Sequence, residues 1–417
     1  MTPLRVLMLN DYGSPDGGAE RQMLRLRDRF RAAGHDVRLL ASDAPLPGVA
    51  ADRQSPSRAD HACRGRNDRL QVLTSLHNAS AVRTLRSALA TFRPDVVHVR
   101  MFLWQLSPAV LPLLRSVPTL YHAAQYKSVC PTGQKRLPDG RACTVPAGRV
   151  CRSAGCVSTL SFLPAMAQLR AFRRGRDALD RVVVLSRAME GVLRSGGFTG
   201  PVDVVHNGVP ERLPRPPLVG PPTAAFAGRL VPEKGVDLLL RAFADARGRV
   251  PDARLCVVGD GPQRASLRRL AAELGVADAV TFCGHLPRGE METRLDAAWV
   301  QATPSQWEEP FGNVSLEAMM RGTAVVAGRI GGQAEIVADG QTGYLVPPAD
   351  RGAWARQLTR ILSDPDHAEA LGAAARARAL GVFSETAVGE RLLGIYRELA
   401  APRVPALAPE PALAPHS

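Results

Sequence analysis

Short apolar runs of β-forming residues alternate with segments of helical apolar spacing through nearly all 417 residues, and that alternation restricts the folds open to the chain. A strand that is apolar along its whole length, such as residues 4–10 (LRVLMLN), must be covered on both faces, and helices that connect parallel strands supply that cover. A loop with Gly13, Gly17 and Gly18 follows it. In the next segment Met23, Leu24, Leu26 and Phe30 fall near helical spacing before Gly34 stops it. Further strands are predicted at 37–41, 95–99, 119–123, 181–186 and 202–209. A second series is predicted at 223–228, 253–259, 279–284, 299–304, 323–328 and 342–347. Between the two series, six prolines from Pro210 to Pro222 cannot continue regular structure. The expectation is α/β, with two doubly wound Rossmann-like domains: 1–205, a linker at 206–221, and 222–385. Residues 49–70 read as a mobile Arg-rich loop, 386–400 as a terminal helix, and 401–417, with five Pro and five Ala, as a disordered tail.

Charge adds a second constraint. Residues 1–200 hold 30 Lys+Arg against 14 Asp+Glu, whereas 201–417 hold 23 against 25, so the excess of +14 resides in the first half. A basic half points to an anionic partner, and an anionic membrane surface reached through the Arg-rich segment 21–33 is the expectation. Only three of the 53 basic residues are lysine, so a general preference for Arg contributes to the excess. No apolar run is long enough to span a bilayer. The N-terminal run meets Asp11 at once, which argues against a secretory leader. A cytoplasmic address follows, peripheral at the inner membrane face. There is no nucleic-acid-binding motif and only 5% aromatic residues, so no specific nucleic acid is expected.

Three loops carry the chemistry. Gly17-Gly18-Ala19-Glu20 lies between the first strand and the first helix, where glycine admits a close ligand and free N–H groups attract phosphate. Gly228-Arg229-Leu230-Val231-Pro232-Glu233-Lys234-Gly235 also follows a strand, and its guanidinium and ammonium suit a diphosphate. In the third, Glu309-Pro310-Phe311-Gly312-Asn313-Val314-Ser315-Leu316-Glu317, seven residues separate two carboxylates. Asn313 reads as the cap of a helix from Val314. Were the stretch wholly helical, the carboxylates would stand roughly 12 Å apart, close to the span from a sugar to a ribose across a diphosphate. N–H groups between them would face phosphate. Taken singly, each loop is equally compatible with an ordinary solvated turn.

Together, and in this order, these loops resemble the retaining glycosyltransferases of family GT4, which have the GT-B fold. His206-Asn207-Gly208-Val209, Gly259-Asp260-Gly261-Pro262 and Gly343-Tyr344-Leu345-Val346 extend the resemblance. It implies two domains facing a cleft, with the acceptor on the first, a nucleotide sugar on the second, and the last helix crossing back to the first. It implies that Arg229 and Lys234 neutralise the donor diphosphate, that Glu309 orients the transferred sugar and Glu317 the ribose, and that the Gly17-Gly18 loop closes over the phosphates. Asn207, Phe311, Gly312, Asn313 and Val314 join the donor-binding set. Fixed cations at the leaving phosphate favour the transition state over the ground state. No metal or other cofactor is required, the nucleotide sugar being a co-substrate, and front-face attack needs no protein nucleophile. Ala124-Gln125 stands where many relatives have His-Asp, which leaves His122 as the candidate catalytic histidine. Cys130, Cys143, Cys151 and Cys156 crowd into 27 residues with 12, 7 and 4 residues between them, a candidate structural zinc site of non-standard spacing.

The expected function is transfer of a sugar, hexosyl or related, to a polysaccharide, lipid-linked glycan or glycolipid acceptor. The alternatives are a nucleotide-sugar epimerase on the same scaffold and a non-catalytic, basic membrane- or nucleic-acid-binding protein.

Overall fold

The computed structural model describes residues 2–49, 52, 54–68 and 70–401. Its first sheet comprises β1 (Arg5–Tyr12), β2 (Asp36–Ser42), β3 (His61–Cys63), β4 (Val96–Val99), β5 (Thr119–Ala123), β6 (Arg181–Val184) and β7 (Asp203–Val204). All neighbours are parallel, in the order β3-β2-β1-β4-β5-β6-β7. The second sheet comprises β8 (Thr223–Ala227), β9 (Arg254–Val258), β10 (Val280–Gly284), β11 (Val300–Thr303), β12 (Ala324–Gly328) and β13 (Gly343–Val346). It too is parallel, in the order β10-β9-β8-β11-β12-β13. Each sheet reverses its winding beside its first strand, between β1 and β4 and between β8 and β11. The crevice outside the carboxyl ends of those strands is where open α/β sheets bind ligands.

Strand periodicity builds the layers. In β1, Leu7 and Leu9 enter one core cluster while Val6 and Met8 enter another on the opposite face. In β8, Ala224 and Phe226 face one cluster, and Ala225 and Ala227 the other. The final helix, Glu385–Ala400, starts at Ser384, whose hydroxyl accepts from Ala387 N–H. Its Val388, Leu392, Ile395 and Tyr396 lie at helical spacing and pack with Val6 and Met8, so the helix rests on the first sheet. Tyr396 OH stands 2.5 Å from His98 Nδ1 in β4.

Three local readings need correction. The stretch 49–70, read as a loop, contains β3, paired with β2 from Leu40↔His61 to Ser42↔Cys63. A strand of three residues has no readable period. The proline-rich linker, read only as lacking regular structure, is pinned to the second lobe. Arg215 is buried and forks onto Glu369 at 3.2 and 2.9 Å, and its N–H donates to Arg321 O. The helix Gly18–Ala32, read as a membrane-facing segment, buries Met23, Leu24 and Phe30 and engages most of its arginines within the molecule. Arg25 meets Glu385, Arg27 donates to Arg58 O, and Arg31 forks onto Asp60. The tail expected at 401–417 lies, apart from Ala401, outside the described residues.

Candidate active site

The two loops at the winding reversal of the second sheet are bound directly to each other. The β8 loop ends in a turn, Pro232–Lys234, and then Gly235, whose φ of +64° starts the helix Val236–Arg247. A Cβ on Gly235 would stand 2.1 Å from Pro304 O in the β11 loop, so the closeness of the loops requires glycine. Gln306 N–H donates to Glu233 O at 2.8 Å. Across this seam Lys234 Nζ donates to Glu309 Oε1 at 2.7 Å, and Ser305 Oγ donates to Oε2 at 2.7 Å. The Lys234 and Glu309 side chains are 19% and 16% exposed. Burial alone would raise the Glu309 pKa. The Lys234 charge, with hydrogen bonds from Lys234 and Ser305, outweighs burial and holds it below the usual carboxylate range.

Arg229 is not part of that pair. It is 74% exposed and sits 3.8 Å from Glu233 Oε1. Glu233 also meets Arg136 of the first lobe at 3.4 Å, with both side chains largely buried. Tyr126 OH donates to Glu308 O, Ser186 Oγ to Pro310 O, and Ala188 N–H to Glu335, which join the lobes along the same seam.

The helix after the third loop spans Asn313–Met320, and its cap is Gly312 rather than Asn313. Gly312 has a φ of +125°, and Asn313 is helical, its side-chain oxygen accepting from Asn207 Nδ2 at 3.0 Å. Residues 309–312 are not helical, so the 12 Å reading of the two carboxylates does not apply. Glu317 is one-third exposed and 3.5 Å from Arg288. The Phe311 ring stacks on His206 at 5.2 Å and is buried.

On the first lobe, Gly17 caps the helix Gly18–Ala32 with no side-chain bond of its own, and the helix start borders the cleft at Gly18 and Ala19. Asp11, at the end of β1, is fully buried. Its carboxylate accepts from Trp104, Gln105 and Leu106 N–H at 3.0, 2.7 and 3.0 Å, tying β1 to the chain beyond β4. Burial raises its pKa to about 6 despite those bonds. His122 lies in β5, buried and stacked on His98 at 5.3 Å, with Nδ1 at 3.4 Å from Arg100. Burial, then Arg100 and His98, push it well below the usual histidine range, so the ring is neutral. It borders a small side cavity with Arg100 and Asn207.

Between the lobes lies a cavity of about 960 Å³, large for a small-molecule site. Gly18 and Arg100 line it from the first lobe, and Arg229, Glu309, Gly312 and Glu317 from the second. Asn207, Phe311, Asn313 and Val314 border it as well. Neither Lys234 nor His122 is in that lining; Lys234 reaches the cavity only through Glu309.

Arg100 is the residue that sequence reading passed over. It is the first residue beyond β4, is 3% exposed, donates to Gln22 Oε1 at 2.8 Å and Asn207 Oδ1 at 3.0 Å, and leaves Nε without a partner. Burial lowers its pKa to about 10, still fully charged at neutral pH. Its place just past a predicted strand was the available signal.

The four clustered cysteines are free thiols. Among the described residues, no three His, Cys, Asp or Glu side chains come together as a metal-holding set. Thr132 and backbone N–H groups of residues 132–135 hold the Cys130 thiol below its usual pKa against the effect of burial.

Comparison with known proteins agrees with this architecture. Residues 16–213 match the family model for Glycosyltransferase Family 4, and residues 213–378 that for Glycosyl transferases group 1. A glycogen synthase of Mycobacterium tuberculosis is 30% identical over 420 residues, covering 94% of each chain. A GDP-mannose-dependent alpha-(1-6)-phosphatidylinositol monomannoside mannosyltransferase of Mycolicibacterium smegmatis is 41% identical over 177 residues, which cover 41% of this chain and only 46% of that protein. The structure of Anabaena Alr3699/HepE in complex with UDP-glucose superposes with a TM-score of 0.65 at 20% identity, over 95% of this chain and all of that one. Two parallel sheets with the same winding, a shared cleft and these matches along its length establish that the chain belongs to the family-4 glycosyltransferases of GT-B fold.

Proposed function

We propose that this glycosyltransferase is a retaining enzyme that moves a sugar from a nucleotide-sugar donor to a lipid-linked glycan, glycolipid or polysaccharide precursor at the inner membrane face. The observation that carries the reading is the Lys234–Glu309 pair at the winding reversal of the second sheet, beside a cavity whose opposite wall includes the helix start at Gly18. A sugar diphosphate fits that arrangement. Its phosphates lie between the helix starts at Gly18 and Asn313, with Lys234 and the exposed Arg229 balancing their charge. Glu309 accepts from sugar hydroxyls, and Glu317 accepts from the ribose.

In the reaction the bond from the anomeric carbon to the diphosphate oxygen breaks, and its electron pair leaves with the phosphate. The acceptor hydroxyl oxygen bonds to the same face of the carbon, and its proton passes to the departing phosphate oxygen. Cations fixed at that oxygen act most strongly once the charge has developed there. The UDP-glucose held by the Anabaena neighbour and the GDP-mannose named for the mycobacterial relative support a nucleotide-sugar donor. A melting screen against UDP-, GDP- and ADP-sugars tests it. One donor class should raise the midpoint, a ligand at 100 times its Kd adding about 2.7 kcal/mol. No stabilisation by any of the three, or donor turnover to an isomer with no acceptor present, would remove the transferase reading.

A further inference from the structure

The first lobe exposes a face that its own fold leaves unused. The helix Thr159–Gly175 places residues 160, 163, 167, 170 and 174 along one solvent-facing stripe. Leu160 is 91% exposed and Leu163 73% exposed, Ala167 follows, and the stripe ends in Arg170 and Arg174, both exposed. Buried Leu169 and Phe172 hold the other side of the helix in the core. The short helix Gln71–Leu76 lies against it, with Gln168 Nε2 donating to Ser75 O at 2.7 Å, and adds exposed Leu70 and Leu73. Charge here is of one sign. From Gly140 to Arg176 there are seven arginines and no Asp, Glu or Lys. Arg141, Arg149, Arg152, Arg170, Arg173 and Arg174 are all exposed. Among the described residues, only Arg141 of these has an acidic partner, Asp139. A few residues before this stretch, Thr132, Gly133 and Gln134 line the cavity.

Leucines at the solvent edge beside unpaired arginines are the composition of a surface that sinks into the headgroup layer while its cations meet anionic lipid. A second copy of this chain would bring two arrays of like charge together, and a nucleic acid would leave the leucines wet. We propose that this face, centred on Leu160, Leu163, Arg170 and Arg174, docks the enzyme on an anionic bilayer. It replaces the helix Gly18–Ala32, most of whose arginines are engaged within the molecule, and it rests on the reading that the acceptor is presented at a membrane.

Full-length protein sedimented with phosphatidylcholine vesicles and with mixed phosphatidylcholine–phosphatidylglycerol vesicles tests the docking face. Binding should be confined to the anionic vesicles and should weaken with salt. L160S/L163S and R170E/R174E should each lower the partition coefficient more than tenfold, while turnover of a soluble donor–acceptor pair stays at the wild-type rate. Unchanged partitioning in both variants, or equal binding to neutral vesicles, would overturn the proposal. So would loss of a dimer in the leucine variant with no change in vesicle binding. Vesicle binding without sugar transfer would instead strike the functional reading and leave the docking face standing.

Discussion

Lys234 Nζ stands 2.7 Å from Glu309 Oε1, joining the β8 and β11 loops across the winding reversal of the second sheet. Each residue is thus both a candidate donor contact and the partner that keeps the other ionised. Replacing one changes the charge of the site and strands its neighbour at once.

Lys234→Ala and Glu309→Gln should each lower sugar transfer more than tenfold while the protein remains folded. The side chains are neither exposed nor fully sealed, so the lost pair should cost about 2 kcal/mol, between the values for exposed and buried pairs. Steady-state rates and urea denaturation of both variants check this. Near-wild-type rates would remove the pair from the site.

Arg100 should matter for the reach and planar spread of its guanidinium as well as for its charge. Nη2 donates to both Gln22 and Asn207 while Nη1 faces His122 at 3.4 Å, and Asn207 passes the contact on to Asn313 at the start of the opposite helix. Arg100→Lys keeps the charge but has one nitrogen on a shorter stem in place of the planar group, so it should lose transfer by about tenfold. Asn207→Ala should give a similar loss. If the lysine variant were fully active, the bridging geometry would be irrelevant.

Arg136 and Glu233 form an ion pair that spans the cleft. Such a pair, partly screened by solvent, contributes about 1 kcal/mol. Arg136→Ala should therefore raise the KM for donor about fivefold with little effect on kcat, and added salt should narrow the gap from wild type. A fall in kcat at constant KM would contradict a role in closing the lobes.

Stability should carry a pH signature from Asp11. Its folded-state pKa of about 6 exceeds the ordinary value near 4, so the folded protein binds the proton more tightly than the unfolded chain does. The resulting stabilisation is complete below about pH 4 and is lost as pH rises through about 6, amounting to about 3 kcal/mol. Asp11→Asn should flatten the stability profile over that window. Parallel profiles for the two proteins would show that Asp11 titrates normally.

The sequence carried the strands because each buried run is apolar, alternates with helix and is bounded by glycine or proline. Twelve of the thirteen strands among the described residues fall on predicted runs. It carried the cationic and acidic loops because Gly, Arg, Lys and Glu are concentrated just past strands. It did not carry what depends on strand order. Arg100 becomes a cleft residue only because β4 pairs with β1, a contact between residues about ninety positions apart. The direct bond from Lys234 to Glu309 and the pairing of Arg136 with Glu233 likewise join remote segments. Asn313 was misread locally, because a glycine with positive φ took the cap.

The most direct test is a structure of the protein with a nucleoside diphosphate bound. The account predicts the diphosphate in the cleft between the helix starts at Gly18 and Asn313, beside the Lys234–Glu309 pair and within hydrogen-bond distance of the Arg229 guanidinium, with the ribose at Glu317. A diphosphate bound elsewhere, with Arg229 still in solvent, would contradict it.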